Sequence, residues 1–100
     1  MYKVLLFGGT VEGRTVAEYL NENKIPAMVC VATEYGETLL PQGEGLHISA
    51  RPLPREEMAE LFRRERFDLV IDATHPYAKR ITESIAATCA GTDTEYLRLL

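Results

Sequence analysis

The chain has 100 residues, of which 46% are hydrophobic and 26% charged, and its formal net charge is −4. This size and composition indicate one small globular domain and exclude an intrinsically disordered chain or a disulfide-rich scaffold. The acidic balance argues against nucleic-acid and membrane partners, no apolar run approaches the roughly 20 residues of a membrane span, and we expect a cytoplasmic protein.

The first half of the chain predicts a strand, a helix, a second strand and a long loop. Residues 3–7 form a short apolar run that two glycines stop, which is typical of a buried strand. Apolar side chains at helical spacing then predict a helix that ends before Pro26. Residues 27–33 are apolar at nearly every position, as in a parallel strand covered on both faces, and the glycines and proline of residues 34–45 predict a loop.

The second half predicts three more strands and two helices. Residues 46–49 suit a short third strand, and residues 55–65 suit a charged amphipathic helix with acidic residues in its first turn. Residues 67–73 predict a fourth strand. Pro76 suits the first position of the next helix, where its missing N–H costs nothing, and residues 95–100 predict a fifth strand.

This alternation of strands and helices predicts an α/β fold. We expect a Rossmann-like, doubly wound parallel sheet of about five strands in the order 3-2-1-4-5. The switch point of such a sheet lies between strands 1 and 4, where ligands bind at the carboxyl ends of the strands. The loop of residues 8–14 should therefore face the loop of residues 74–77.

The loop of residues 8–14, with the sequence GGTVEGR, links the first strand to the first helix. Glycines at this turn let the backbone approach a phosphate beside the positive end of a helix. Gly8 and Gly13 match the dinucleotide fingerprint G-x-G-x-x-G, whereas Thr10 stands where its middle glycine is expected. This variant motif predicts a cofactor site made by Gly8, Gly9, Thr10, Glu12 and Gly13. Two alternatives stay open: the glycines serve only a tight turn, and Glu12 is only a favourable first-turn acid.

The end of the second strand is where a Rossmann protein contacts the adenosine ribose. An acidic residue about 20 positions past the glycines bonds the ribose hydroxyls in such proteins, and Thr33 and Glu34 occupy this place. Glu34 would favour NADH over NADPH. A solvated loop glutamate explains it equally well.

Residues 72–78, with the sequence DATHPYA, place a carboxylate, a hydroxyl, an imidazole and a phenol beside the predicted switch point. We expect His75 to take part in the site, since it does not lie on an apolar helix face. Structural roles are the alternatives: Asp72 bonds backbone N–H groups, Thr74 caps the helix, and Tyr77 packs in the core.

The remaining histidine and the two cysteines have no spacing typical of a metal site. Cys30 and Cys89 are 59 residues apart, outside any CxxC motif, and we expect two reduced, buried thiols. His47 lies in or beside the third strand with no partner in the sequence, so we expect a structural role and no metal.

Three segments together resemble the precorrin-6A reductase family: GGTVEGR at 8–14, VATEYG at 31–36 and DATHPYA at 72–78. The closing EYLRLL is similar to a strand of the same family. The resemblance implies reduction of one double bond of precorrin-6A or cobalt-precorrin-6A in cobalamin biosynthesis, with NADPH or NADH as cofactor. It also implies two Rossmann-like halves with the site between them. Because family members are considerably longer, we expect residues 1–100 to be the N-terminal half of a longer enzyme.

The resemblance also implies roles for individual residues. Gly8, Gly9, Thr10 and Gly13 would serve the cofactor, Thr33, Glu34 and Tyr35 the adenosine or substrate side, and Thr74, His75 and Tyr77 the cleft. Hydride addition leaves negative charge that a proton must quench, and His75 or Tyr77 is expected to supply it. The macrocycle bears many carboxylates, so the substrate-binding candidates include Arg14, Tyr35, Thr74 and Lys79, with Arg51 and Arg80 as further cations. Each such cation is more often a solvated surface charge.

Two other functions remain open at this point. A short-chain dehydrogenase or sugar-nucleotide epimerase also begins with a glycine-rich turn, but it needs Tyr-x-x-x-Lys, and Lys79 follows Tyr77 too closely. A non-catalytic nucleotide-sensing module would keep the glycine loop without needing the His-Pro-Tyr cluster. For the isolated chain we also expect self-association through the edge of its fifth strand at high concentration.

Overall fold

In a computed structural model that describes residues 2–99, short apolar runs form five strands and the segments between them form four helices. The strands are β1 (Val4–Phe7), β2 (Ala27–Val31), β3 (Leu46–Ala50), β4 (Leu69–Asp72) and β5 (Glu95–Arg98). The helices are α1 (Val11–Glu22), α2 (Glu34–Thr38), α3 (Arg55–Glu65) and α4 (Lys79–Ala90). All strand pairs are parallel and the order is β3-β2-β1-β4-β5, which confirms the predicted fold class and strand order.

The apolar core covers both faces of the central strand β1, because successive side chains of a strand point to opposite faces. On one face Leu5 belongs to a buried cluster with Met58 of α3 and Ile85 of α4. On the other face Leu6 belongs to a cluster with Ala17 of α1. All five of these side chains are fully buried. With both faces of β1 covered, the strand is open to a ligand at its ends, and the glycine loop begins at its carboxyl end.

The segment after β2 differs from the predicted loop, because residues 34–38 form the short helix α2. Thr33 is its N-cap, and the Thr33 hydroxyl accepts a hydrogen bond from the backbone N–H of Gly36 at 3.0 Å. Acidic side chains in the first turn add a favourable interaction with the helix dipole. The glycines of this segment suggested a loop, but the threonine cap starts a helix.

The start of α4 was predicted wrongly. The helix begins at Lys79 with Ala78 as N-cap, and Pro76 lies in a turn that the carbonyl of His75 closes by accepting from the N–H of Ala78 at 2.9 Å. The predicted cap Thr74 does not begin the helix, and its hydroxyl donates to Asp72 at 2.7 Å.

The two edges of the sheet are β3 and β5. The fifth strand was predicted over residues 95–100; it is observed over Glu95–Arg98, and Leu100 lies outside the described residues. Leu97 of this strand is half exposed. Across residues 2–99, no helix is both long and apolar enough to cross a membrane.

Candidate functional site

Two glycines shape the loop between β1 and α1 for different reasons. Gly9 has φ 121°, a conformation that residues with a side chain rarely adopt, although a Cβ there would meet no atom within 4 Å. Gly13 is buried, and a Cβ would lie 3.2 Å from both the Cβ of Ala73 and the Cα of Gly8. Gly9 thus gives the loop its turn, and Gly13 lets α1 approach the end of β4 closely.

Thr10 explains why this loop departs from the usual fingerprint. Its hydroxyl accepts from the N–H of Gly13 at 3.1 Å, which caps α1, and donates to the carbonyl of Ala73 at 2.6 Å. A glycine at this position has no side chain for either bond. Both of these hydrogen bonds are internal to the protein. If Thr10 contacts a cofactor, we therefore expect its backbone, and not its hydroxyl, to make the contact.

The helix α1 begins at Val11, directly after the glycine loop's Thr10 cap. Its first backbone N–H groups have no helical carbonyl partner, so this end of the helix attracts an anion. Glu12 is exposed in the first turn. Its carboxylate lines neither of the clefts described next, so the helix-dipole role fits it better than cofactor contact.

Two clefts open on either side of the glycine loop, and Gly8 and Gly9 line both of them. The α1–α2 groove has a volume of about 380 Å³. Its other walls come from the start of α1 and from α2, and they include Val11, Arg14, Thr33, Tyr35 and Leu39.

The switch-point cleft has a volume of about 410 Å³ and lies between the glycine loop and the loop that follows β4. Thr74, His75 and Ala78 line it on that side. The segment between β3 and α3 supplies a further wall through Arg51, Pro52, Leu53 and Pro54. The sheet thus brings the glycine loop and the THPYA segment together across the switch point, as predicted.

The predicted site residues are therefore distributed over two places. Arg14, Thr33 and Tyr35 line the α1–α2 groove, whereas Thr74, His75 and Arg51 line the switch-point cleft. The lining of both clefts lacks Glu34, Tyr77, Lys79 and Arg80, all of which are exposed.

Asp72, at the end of β4, is fully buried and is the centre of a hydrogen-bond network. Its Oδ1 accepts from the N–H and the hydroxyl of Thr74 at 3.1 and 2.7 Å. Its Oδ2 accepts from the hydroxyls of Thr82 at 2.8 Å and Tyr96 at 2.9 Å. Burial by itself raises the pKa of this carboxyl, but the hydrogen bonds outweigh it and hold the pKa below its ordinary value.

Arg98 of β5 completes this network. Its Nη1 donates to the carbonyls of Asp72 and Thr74 at 2.9 and 3.0 Å and lies 3.4 Å from Oδ1 of Asp72. The sequence analysis missed Thr82, Tyr96 and Arg98. The sequence carried one partial signal, because Tyr96 and Arg98 alternate along the predicted fifth strand and therefore share a face. The register that pairs Arg98 with Asp72 is seen only in the structure.

His75 and Tyr77 lie at the exposed tip of the same loop, and Tyr77 is 85% exposed, so its predicted alternative role in the core is wrong. The backbone N–H of Tyr77 donates to Nδ1 of His75 at 3.2 Å, and the ring centroids are 5.0 Å apart. A neutral imidazole whose Nδ1 accepts carries its proton on Nε2. Nε2 is therefore the ring nitrogen that this hydrogen bond does not use.

The two cysteines and His47 were expected to have structural roles. Cys30 and Cys89 are free and buried, as predicted, and burial raises the pKa of each thiol to about 11. His47 is exposed on β3, with its ring 5.9 Å from that of Tyr2. Within the described part of the chain, no group of three or more His, Cys, Asp or Glu side chains is placed to hold a metal ion.

Comparison with known proteins gives one consistent result. Residues 3–100 match the family model described as precorrin-6x reductase CbiJ/CobK. A cobalt-precorrin-6A reductase from Synechocystis is 33% identical over 95 residues, and a precorrin-6A reductase from Mycobacterium tuberculosis is 36% identical over 99 residues. A solved structure described as CobK precorrin-6A reductase superposes with a TM-score of 0.83 at 26% identity over 99% of this chain. The chain spans 36%, 39% and 37% of the lengths of these three proteins.

Proposed function

This chain belongs to the precorrin-6x reductase CbiJ/CobK family, and we propose that it forms the cofactor-binding half of an enzyme that reduces a precorrin-6A-type macrocycle with NADH or NADPH. The observation that carries the proposal is the glycine loop, which lies between two clefts at the switch point of the sheet. Family membership favours this function over a short-chain dehydrogenase or a nucleotide-sensing module. We assign the activity to a longer protein, because the relatives are longer than this chain.

The geometry of the glycine loop fits a dinucleotide. Gly9 is exposed, carries no side chain and lies beside the N-terminus of α1, so a diphosphate can approach the backbone there. The two clefts share this loop and are otherwise lined by different elements, α1 and α2 in one and the segments before α3 and α4 in the other, which suits a cofactor with a group at each end. The nicotinamide supplies the hydride when it is bound. The residues of this chain then bind and orient the cofactor.

His75 and Tyr77 are the proposed proton-handling residues. Hydride addition to a conjugated ring leaves negative charge that a proton must neutralise. His75 lines the switch-point cleft, and the ring of Tyr77 lies beside the imidazole at the exposed tip of the loop. The hydroxyl of Thr74 is committed to Asp72, so Thr74 positions the loop.

Lys79 and Arg80 are the proposed cations for the carboxylates of the ring. Both are exposed in the first turn of α4, directly after the His-Pro-Tyr turn. Carboxylates pair well with such side chains at little desolvation cost when the site is open to water. The ring would then lie over the loop tip and the mouth of the switch-point cleft.

Gly9→Val in the full-length protein tests the cofactor site. The variant should raise the nicotinamide KM about ten- to a hundredfold, because a hydrogen bond to a charged group contributes about 1.5–3 kcal/mol. Gly45→Val is the matched control, since a Cβ at Gly45 meets atoms at 3.8 and 3.9 Å, an ordinary contact distance, and lies outside both clefts. An unchanged KM in a folded Gly9→Val protein would show that the loop is only a turn.

His75→Asn and Tyr77→Phe test the proton-handling role. Asn keeps an acceptor for the N–H of Tyr77 and so preserves the turn, but it removes the imidazole Nε2. A general acid contributes about a hundred- to ten-thousandfold in rate, so kcat should fall while cofactor affinity stays nearly constant. Full kcat in both variants would assign these residues to the fold alone.

The isolated 100-residue chain should fold without catalysing, because the ring needs a second wall to hold it near the nicotinamide. Its β5 edge pairs only with β4 among the described residues and exposes Leu97, so we propose self-association through this edge. Two free buried thiols suit a reducing, cytoplasmic compartment. Circular dichroism checks whether the isolated chain folds, and its mass in solution at several concentrations checks self-association. A turnover assay checks catalysis, and robust turnover by the chain alone would refute the two-half site.

A further inference from the structure

The loop after β4 is held at its base from two sides. Three consecutive backbone carbonyls there accept hydrogen bonds from side chains of other elements. The carbonyl of Ala73 accepts from the hydroxyl of Thr10 at 2.6 Å, on the β1 side. The carbonyls of Asp72 and Thr74 accept from Nη1 of Arg98 at 2.9 and 3.0 Å, on the β5 side. Because β1 and β5 lie on opposite sides of β4, the backbone that leads to the His-Pro-Tyr turn is fixed from both directions.

The guanidinium of Arg98 lies where a charge is costly. Its side chain is 21% exposed, and the Asp72 carboxylate 3.4 Å away is fully buried. Taking two charges out of water costs free energy that their attraction does not reliably repay, so such a pair is weak evidence for stability and can instead specify one conformation. Nη1 lies within hydrogen-bond distance of three backbone carbonyls, those of Asp72, Thr74 and Leu99. What the pair secures is therefore the geometry of the backbone.

His75 depends on this base for its position. Its side chain is exposed, and within residues 2–99 its ring takes part in one hydrogen bond, from the N–H of Tyr77 in the same turn. That bond and the one from the N–H of Ala78 are local, so they move together with the loop. The carbonyl of Thr74 belongs to the peptide group that enters His75. The bond from Arg98 to this carbonyl therefore sets the direction in which the chain enters the turn.

Resting on the proposed proton-handling role of His75, we infer that Arg98 is a positioning residue for the reduction. Arg98 lines neither cleft, so it acts by fixing the peptide group that precedes His75. A misplacement of about 1 Å far from the chemistry costs about a hundredfold in rate in some enzymes. Loss of the guanidinium should lower the rate at which His75 handles its proton. The glycine loop, to which Arg98 makes no hydrogen bond among the described residues, should keep its cofactor affinity.

The test compares variants of the full-length protein. Arg98→Met keeps an apolar stem but removes the donors, so it should lower kcat about ten- to a hundredfold and leave the nicotinamide KM within about twofold. Arg98→Lys restores a cation with donors and should recover part of the lost kcat. Thr94→Val is the matched control, because it removes the bond from the Thr94 hydroxyl to the carbonyl of Phe67 at 2.8 Å, at the opposite end of the same strand pair. Its kcat should be unchanged.

The decisive measurement is the double substitution. If Arg98 acts through His75, Arg98→Met should change kcat by less than about twofold once His75→Asn is present, because the group that it positions is gone. Losses that multiply in the double variant would overturn the inference and assign Arg98 to the fold alone. Full kcat in the folded Arg98→Met protein would overturn it as well.

Failure of the inference and failure of the proposed function give different results. Full kcat in His75→Asn would contradict the proposed role of His75 and overturn the inference with it. A lowered kcat in His75→Asn beside full kcat in Arg98→Met would overturn the inference alone. If circular dichroism shows that Arg98→Met does not fold, Arg98→Gln, which keeps one amide donor, takes its place in both measurements with the same expected results.

Discussion

The two loops that meet at the switch point are held in opposite ways. The glycine loop keeps its shape through missing side chains: Gly9 supplies a positive φ, Gly13 permits close approach of α1, and a single hydroxyl of Thr10 ties the loop to β4. The loop after β4 keeps its shape through side chains, with Asp72 and Arg98 at the centre of a buried network.

This contrast matches the work that each loop is proposed to do. Bare backbone beside a helix N-terminus suits a phosphate, and any side chain there would be in the way. A loop that must present an imidazole and a phenol needs its base held firmly, so that His75 and Tyr77 project from a fixed support. Asp72 provides that support below the exposed tip. The contrast predicts different sensitivities of the two loops to substitution.

Asp72→Ala should have the largest effect. The change removes the acceptor of Thr74, Thr82 and Tyr96 and leaves the guanidinium of Arg98 without its carboxylate, which should lower the free energy of unfolding by about 3–5 kcal/mol. Urea denaturation measures it. Asp68→Ala, at an exposed position just before the same strand, is the control and should cost less than about 0.5 kcal/mol. Equal losses at the two positions would mean that the network contributes little.

Gly13→Ala tests the other loop. Alanine in a helix interior usually stabilises relative to glycine by about 1 kcal/mol, but here its Cβ would lie 3.2 Å from Ala73 and from the backbone of Gly8. We expect a net loss of about 1–3 kcal/mol from overpacking. Gly91→Ala, at the C-terminal cap of α4, has a negative φ, and its Cβ would lie at an ordinary contact distance of 3.8 Å from the carbonyl of Thr88, so this variant should be neutral or slightly stabilising. A stabilised Gly13→Ala protein would contradict the close approach of α1.

Two matched threonine caps sharpen the comparison further. Thr10 and Thr33 each accept from the N–H of a glycine three positions on, but only Thr10 also donates across the sheet to Ala73. Thr33→Val should therefore cost about 1 kcal/mol, the usual value of a cap, and Thr10→Val about 2 kcal/mol. Thermal or urea unfolding of the two variants gives the difference directly. If the two losses are equal, the bond between the loops is not stabilising.

The smallest expected effect is the pH-dependent contribution of Tyr96 to the stability of the network around Asp72. Burial, the hydrogen bond to Asp72 and its negative charge raise the pKa of Tyr96 to about 12. A raised folded pKa means that the stabilisation is present below the unfolded value near 10 and is lost as pH rises through about 12. Tyr96→Phe should cost about 1 kcal/mol at neutral pH. The difference from the unaltered protein should shrink over this alkaline window, and a difference independent of pH would place Tyr96 outside the network.

Local signals in the sequence predicted the strands and the glycine loop, because turns and hydrophobic periodicity are short-range properties. The strand order followed from the general rules for crossovers between parallel strands. The network around Asp72 was not predicted, since Tyr96 and Arg98 lie 24 and 26 positions away and act only once β4 and β5 are in register. The helix α2 was missed for a local reason. The segment TEYG repeats the spacing of TVEG, the threonine cap that begins α1, but its glycine suggested a loop.

The bonds from Arg98 to the carbonyls of Asp72 and Thr74 also impose an order of assembly during synthesis. A nascent chain that has emerged only as far as residue 74 already contains both partners of the Thr10–Ala73 bond, so its phosphate-facing loop can form. The support beneath His75 waits for 24 more residues, about 1–5 s at ordinary rates of translation. The two sides of the site can thus mature at different times, because β5 leaves the ribosome after both loops.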